Sequence, residues 1–250
     1  MNSVLIQLFS SILVFIVILF AILNNSIKDM KFVCNKYLLN TYLYILLTLN
    51  IIAIFVLSIE YSKINFDISL PIFFCVALLS IICIILLHYI PATQLILKHI
   101  IWLVLVLSIG TTFYPMYNSY RNNKGAILSA ILTTMALFLI LSGIAYWKPN
   151  WISLSWGPVL FFLLLAGIVG EVIMLFFYKT QITKTEKSTS RWLTYFFILL
   201  FMAYILYDTK RLQINAKECV DPNADYIKES LGLFLDIFNI FVRILSLSDK

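Results

Sequence analysis

The chain is 250 residues long, 62% hydrophobic and only 12% charged, with a formal charge of +6. A water-soluble domain carries roughly a quarter of its residues as charges, so that class is excluded. The 18 Lys and Arg form no block dense enough for a nucleic-acid footprint, so no nucleic-acid partner is expected.

Apolar runs of about twenty residues cross a bilayer as helices. The first run, Val4 to Leu23, lacks a basic n-region and an A-x-A site and is too long for a signal h-region. It reads as a true spanning helix or an uncleaved signal-anchor. Asn24-Asn25-Ser26 behind it is a glycosylation sequon that abuts the membrane. The next runs are Tyr37 to Ser58 and Ser69 to Ile90, then, beyond Pro91, Leu95 to Tyr117. Pro115 near the end of that run predicts a kink. Gly125 to Trp147, Trp151 to Tyr178, Trp192 to Tyr207 and Leu231 to Leu247 complete the set. Tyr117, Trp147, Trp151, Tyr178 and Trp192 fall at run ends, as interfacial aromatics do. The expectation is an all-α polytopic membrane protein in contact with the lipid bilayer. Its Lys and Arg divide nine against nine between the two alternating sides, so the positive-inside rule gives no orientation.

Cys75 and Cys83 lie inside the third run as small hydrophobes, whereas Cys34 and Cys219 stand alone in connectors. With no C-x-x-C and two histidines, the expectation is four reduced structural thiols, no zinc and no cofactor.

Ionisable groups inside spanning helices are costly and usually functional. Asp236 sits among Leu233, Phe234, Leu235, Ile237 and Phe238, on a stem too short to reach the interface. Glu229, Gly232, Asp236, Asn239 and Arg243 are spaced three, four, three and four apart, which makes one polar seam at helical spacing. Such a seam faces protein rather than lipid. Asp236 is then either a functional carboxylate or one that fixes helix packing. Asp208 closes the seventh run, just ahead of Lys210 and Arg211. Glu171, after Gly167 and Gly170, either lines a pore or pairs with a base, and His88 ends the third run. If Asp208 and Asp236 meet, they share a proton, and when deprotonated they offer oxygens that suit a hard cation such as calcium.

These residues also carry a likeness. Tyr204 to Asp208 (YILYD), Asp225-Tyr226-Ile227, and Leu235 to Phe241 (LDIFNIF) resemble the transmembrane Bax inhibitor motif family of Bax-inhibitor, lifeguard and Golgi anti-apoptotic proteins. Gly110 to Pro115 with Tyr117 is similar to that family's third core helix, and Gly125 to Trp147 to its fourth. The likeness runs from about Tyr37 to Leu247.

It implies a seven-helix bundle over 37–250 with the last helix central; the region 1–36, read as one extra transmembrane helix and a polar connector, departs from the family pattern. It implies a pH-sensitive calcium leak with an anti-apoptotic role. Asp208 and Asp236 would be the di-aspartyl proton sensor and a transient calcium site, with calcium ions and protons as the species handled. Asn239, Glu171, Arg243 and Gly232 would line the pore or seam. Relatives often have an arginine near the end of the second core helix that latches an aspartate; this chain has none there, which leaves His88, Lys98 and His99 as the basic candidates. The likeness puts the Lys210-Arg211 side in the cytoplasm. It places the protein in an endomembrane (ER or Golgi) in a eukaryotic or viral setting, and in the plasma membrane otherwise.

Two alternatives stand beside it. One is a non-conducting scaffold that binds membrane-protein partners in cell-death control. The other, more remote, is an intramembrane aspartyl protease: Tyr207-Asp208 fits that pattern, but Gly232-Leu233-Phe234-Leu235 before Asp236 breaks the Gly-x-Gly-Asp half.

Overall fold

A computed structural model describes residues 3–64, 68–177, 184–221 and 224–248. Eight α-helices follow one another: α1 (Ser3–Ser26), α2 (Tyr37–Ser62), α3 (Leu70–Tyr89), α4 (Leu95–Tyr120), α5 (Lys124–Trp147), α6 (Trp156–Phe177), α7 (Lys184–Glu218) and α8 (Tyr226–Leu247). All eight are long and apolar enough to cross a membrane, so the chain is an all-α, multi-pass integral membrane protein. The expected end of the sixth run, Tyr178, lies outside the described residues.

Helix boundaries depart from the apolar runs at several places: α2 and α4 run a few residues longer, α6 begins at Trp156 rather than Trp151, and α7 begins at Lys184 rather than Trp192. The stretch after Tyr207 read as a polar connector, yet α7 continues through it to Glu218, and α8 begins at Tyr226 rather than Leu231. Hydropathy marks the hydrocarbon layer, not the end of hydrogen bonding along a helix. Asp225 then caps α8, its Oδ1 accepting from the N–H of Lys228 at 3.1 Å. Helix α4 runs unbroken through Pro115.

The helices group into two compact units, Met1–Asn122 with Asn215–Phe234, and Asn123–Ile214 with Leu235–Lys250. In the first, α1 packs on α2, and α4 packs on both α2 and α3. Gly110 lets α4 approach α2 closely: a Cβ there would stand 2.9 Å from a ring carbon of Phe55. Between α1 and α2 a two-stranded hairpin, β1 (Ile27–Lys28) and β2 (Lys31–Phe32), pairs Ile27 with Phe32. Its two-residue turn, Asp29-Met30, has both φ angles positive, as such short hairpins require. The turn delivers Phe32 into an aromatic cluster, with ring centroids 5.2 Å from Tyr226, 6.0 Å from Tyr44 and 5.7 Å from His99.

The same connector corrects the reading of the cysteines. Cys34 and Cys219 form a disulfide, with Cα atoms 5.9 Å apart and 185 residues between them in sequence. Only Cys75 and Cys83, both in α3, are free thiols. Each cysteine of the pair looks isolated because its partner lies at the far end of the chain.

In the second unit the buried core includes Leu141, Ala145, Phe197, Ile205, Ile237 and Ile240. Helix α6 meets α7 through its glycines. A Cβ on Gly167 would fall 2.7 Å from Phe197 Cζ, and one on Gly157 would fall 2.6 Å from the Tyr207 hydroxyl.

Candidate functional site

Asp208 is held by an anchored stretch of α7. Next to it, Thr209 is fully buried and its hydroxyl lies 3.4 Å from that of Ser142 on α5. Lys210 donates to the carbonyl of Ile152, and Gln213 Nε2 donates to the carbonyl of Ala145 at 3.1 Å. On the other flank Tyr207 rests against Gly157. These bonds set the rotation of α7 at Asp208, and that side chain is half-buried.

Asp236 lies halfway along α8 and is only 5% exposed. Every residue from Ala224 to Leu245 is buried or half-buried. The two carboxyl groups meet: Asp236 is within side-chain hydrogen-bonding reach of Asp208. A hydrogen bond between two carboxyls needs a proton on one of them. The other Asp236 oxygen, Oδ2, is buried without a hydrogen-bond partner. Leaving a buried acceptor unsatisfied costs on the order of 1–3 kcal/mol, so this oxygen is a standing acceptor for a proton donor or a cation.

The rest of the seam is occupied in different ways. Arg243 forms an ion pair with Glu171 on α6 and lies 4.2 Å from the centre of the Phe197 ring. Of the two readings open for Glu171, pairing is therefore the one the geometry takes. Asn239 turns back to its own helix, its Nδ2 donating to the carbonyl of Leu235 at 2.8 Å. Glu229 accepts from Asn215 Nδ2 at 3.0 Å through both oxygens. Gly232 is half-buried on the same helix.

The three basic candidates all belong to the first compact unit. Lys98 is fully buried and forms an ion pair with Asp225, and it also donates to the carbonyl of Ile90 at 2.8 Å. Its partner is thus an aspartate, but one in the loop before α8 rather than a member of the Asp208–Asp236 pair. His99 is bound on both ring nitrogens, 2.9 Å from the Tyr44 hydroxyl and 2.8 Å from the carbonyl of Leu95. His88 sits edge-on to Tyr89, with centroids 6.0 Å apart.

Asp225 was not among the candidate site residues of the sequence, where it figured only in the family likeness. Its signal was the helix-capping position just ahead of an apolar run. Among the described residues no group of three or more His, Cys, Asp or Glu could hold a metal ion. Calcium takes six to eight oxygens, more than two carboxylates supply.

Comparison with known proteins agrees with this architecture. No curated protein matches the chain. The family model described as Inhibitor of apoptosis-promoting Bax1 matches residues 34–249. That match begins at Cys34 and takes in helices α2 to α8. The chain therefore belongs to the Bax-inhibitor family of apoptosis-inhibiting membrane proteins.

Proposed function

We propose that the protein is a pH-sensitive calcium leak, with Asp208 and Asp236 as its proton-responsive gate and an anti-apoptotic role that follows from the flux. The observation that carries this reading is the meeting of the two carboxyl groups beside a buried, unpartnered Asp236 oxygen. With one proton between them, the pair ties α7 to α8. Without it, two like charges face each other in a medium of low dielectric, and the contact turns repulsive. The separated oxygens then suit a hard, divalent cation. Calcium is substrate here, held briefly, and protons decide whether it passes.

The family membership supports a role in cell-death control, and the buried seam of α8 supports a path through protein rather than lipid. The test is calcium flux of the purified chain in liposomes, wild type against Asp236→Asn, across about pH 6 to 8, the range such a pair can reach. Wild-type flux changes over that range, and Asp236→Asn loses most of the change. If Asp208→Asn and Asp236→Asn both leave flux and its pH response intact, the gate is elsewhere. Absence of flux at every pH, with cell-death suppression retained, would favour the scaffold reading.

A further inference from the structure

We propose that Cys34 and Cys219 form a reversible redox site. It is a clasp that closes as a disulfide, opens to two thiols by exchange with a thiol reductant, and sets how tightly the connector between α7 and α8 is held.

Everything the clasp joins lies in one compact unit, Met1–Asn122 with Asn215–Phe234. Cys34 follows the hairpin, and Cys219 follows the last residue of α7. The family match begins at Cys34, so the clasp sits where the preceding helix and hairpin join the matched region. Both cysteines are half-buried, and Cys219 stands between the exposed Glu218 and Val220. It also lines a cavity of about 460 Å³ together with Tyr37, Asp225, Lys228 and Glu229. An attacking thiolate thus has an open approach to Cys219. Accessible disulfides are the labile, regulatory ones, whereas shielded ones are structural.

A reversible bond also needs its halves to stay together when it opens. Hydrogen bonds do this here without sulfur. The Tyr226 hydroxyl donates to the carbonyls of Val33 and Asn35, on either side of Cys34. Tyr226 is fully buried, its ring 5.2 Å from those of Phe32 and Tyr37. The N–H of Cys34 donates to Asp221, two residues beyond Cys219. Asp221 is exposed, so water competes for that bond. On reduction the Cys34 segment keeps its buried anchor, while the stretch around Cys219 loses its covalent tie.

Opening is a two-electron exchange. A thiolate attacks one sulfur of the bond, and the other leaves as a thiolate that takes a proton. A second thiol then resolves the mixed disulfide. The protein ends with two thiols, and the reductant ends as its disulfide, having given up two electrons and two protons. That oxidised form closes the clasp by the reverse steps.

The experiment uses the full purified chain with Cys75→Ser and Cys83→Ser, so that only the paired cysteines react. It is equilibrated without denaturant in mixtures of reduced and oxidised glutathione, then quenched with a maleimide that adds mass to each free thiol. The expected result is no label in oxidised glutathione, two labels per chain in reducing mixtures, and none again when oxidised glutathione is restored. A bond that opens only in denaturant is structural and overturns the proposal. Labels in the absence of reductant, or failure to close again, overturn it as well. Tyr226→Phe keeps the ring and removes the donor, so it should open in less reducing mixtures; an unchanged midpoint overturns the hydrogen-bonded assembly. The grip on the connector is read by trypsin cleavage after Lys217, which is exposed beside the clasp. Cleavage should rise several-fold on reduction, and in Cys34→Ser it should be high with or without reductant. Equal cleavage in the open and closed states overturns control of the connector.

Discussion

Arg243 on α8 and Glu171 on α6 form an ion pair, and both are only partly exposed, at 21% and 34% of their side chains. In a membrane each would otherwise face hydrocarbon or its boundary alone. The two should therefore be energetically coupled. Arg243→Leu and Glu171→Gln should each lower the unfolding stability of the detergent-solubilised protein. The double variant should lose less than the sum, with a coupling of about 0.5–3 kcal/mol. Additive losses would show that the pair contributes nothing.

Gly167 and Gly170 make a controlled comparison on one helix. A methyl on Gly167 would stand 2.7 Å from Phe197 Cζ and 3.1 Å from Phe196 Cε1, whereas one on Gly170 meets nothing nearer than Leu193 at 3.9 Å. Phe197 is held in place by stacking on Phe201 at 6.1 Å and by Arg243 above it. Gly167→Ala should thus lower stability by about 1–3 kcal/mol through overpacking. Gly170→Ala should be neutral, or gain up to about 1 kcal/mol from helix propensity. Thermal unfolding of the two variants side by side reads the difference.

Much of this architecture was legible from composition. The eight apolar runs are eight helices because a single segment in lipid satisfies its backbone groups within itself only as a helix. The three-four spacing around Asp236 located a seam that faces protein. What hydropathy cannot reach is what lies beyond the hydrocarbon. The polar end of α7 remained hidden, because Lys210 to Glu218 reads as a loop by polarity although it is hydrogen-bonded as a helix. Lys98 was visible as a buried-run base, but its partner Asp225 is 127 residues away, and no local pattern connects them. Cys34 and Cys219 were separated further still, so the bond between them appears only in three dimensions.

Lys98 and Asp225 should be far more sensitive to single than to double replacement. Lys98 is fully buried, and Asp225 both pairs with it and caps α8. Removing one partner of a buried pair strands the other charge, at about 3–5 kcal/mol. Lys98→Met should therefore reduce the folded yield and the melting temperature sharply. Lys98→Met with Asp225→Asn should recover part of that loss, since the asparagine carries no charge and keeps an oxygen for the Lys228 N–H. Failure of the double variant to recover would mean that Lys98 acts through packing alone.

The Cys34–Cys219 bond should contribute measurably to stability, and reductant should reveal it. It closes a loop of 185 residues in sequence, for which a random-chain reference would give about 5 kcal/mol. The unfolded state of a membrane protein keeps its spanning helices, so less freedom remains to be removed. The Tyr226 bonds to Val33 and Asn35 also hold the connectors without sulfur. The expected contribution is thus nearer the usual 2–4 kcal/mol. Wild type treated with reductant should melt at the temperature of Cys34→Ser, and Cys34→Ser itself should not respond to reductant. Equal melting of wild type with and without reductant would show that the covalent link adds nothing to what the hydrogen bonds already hold.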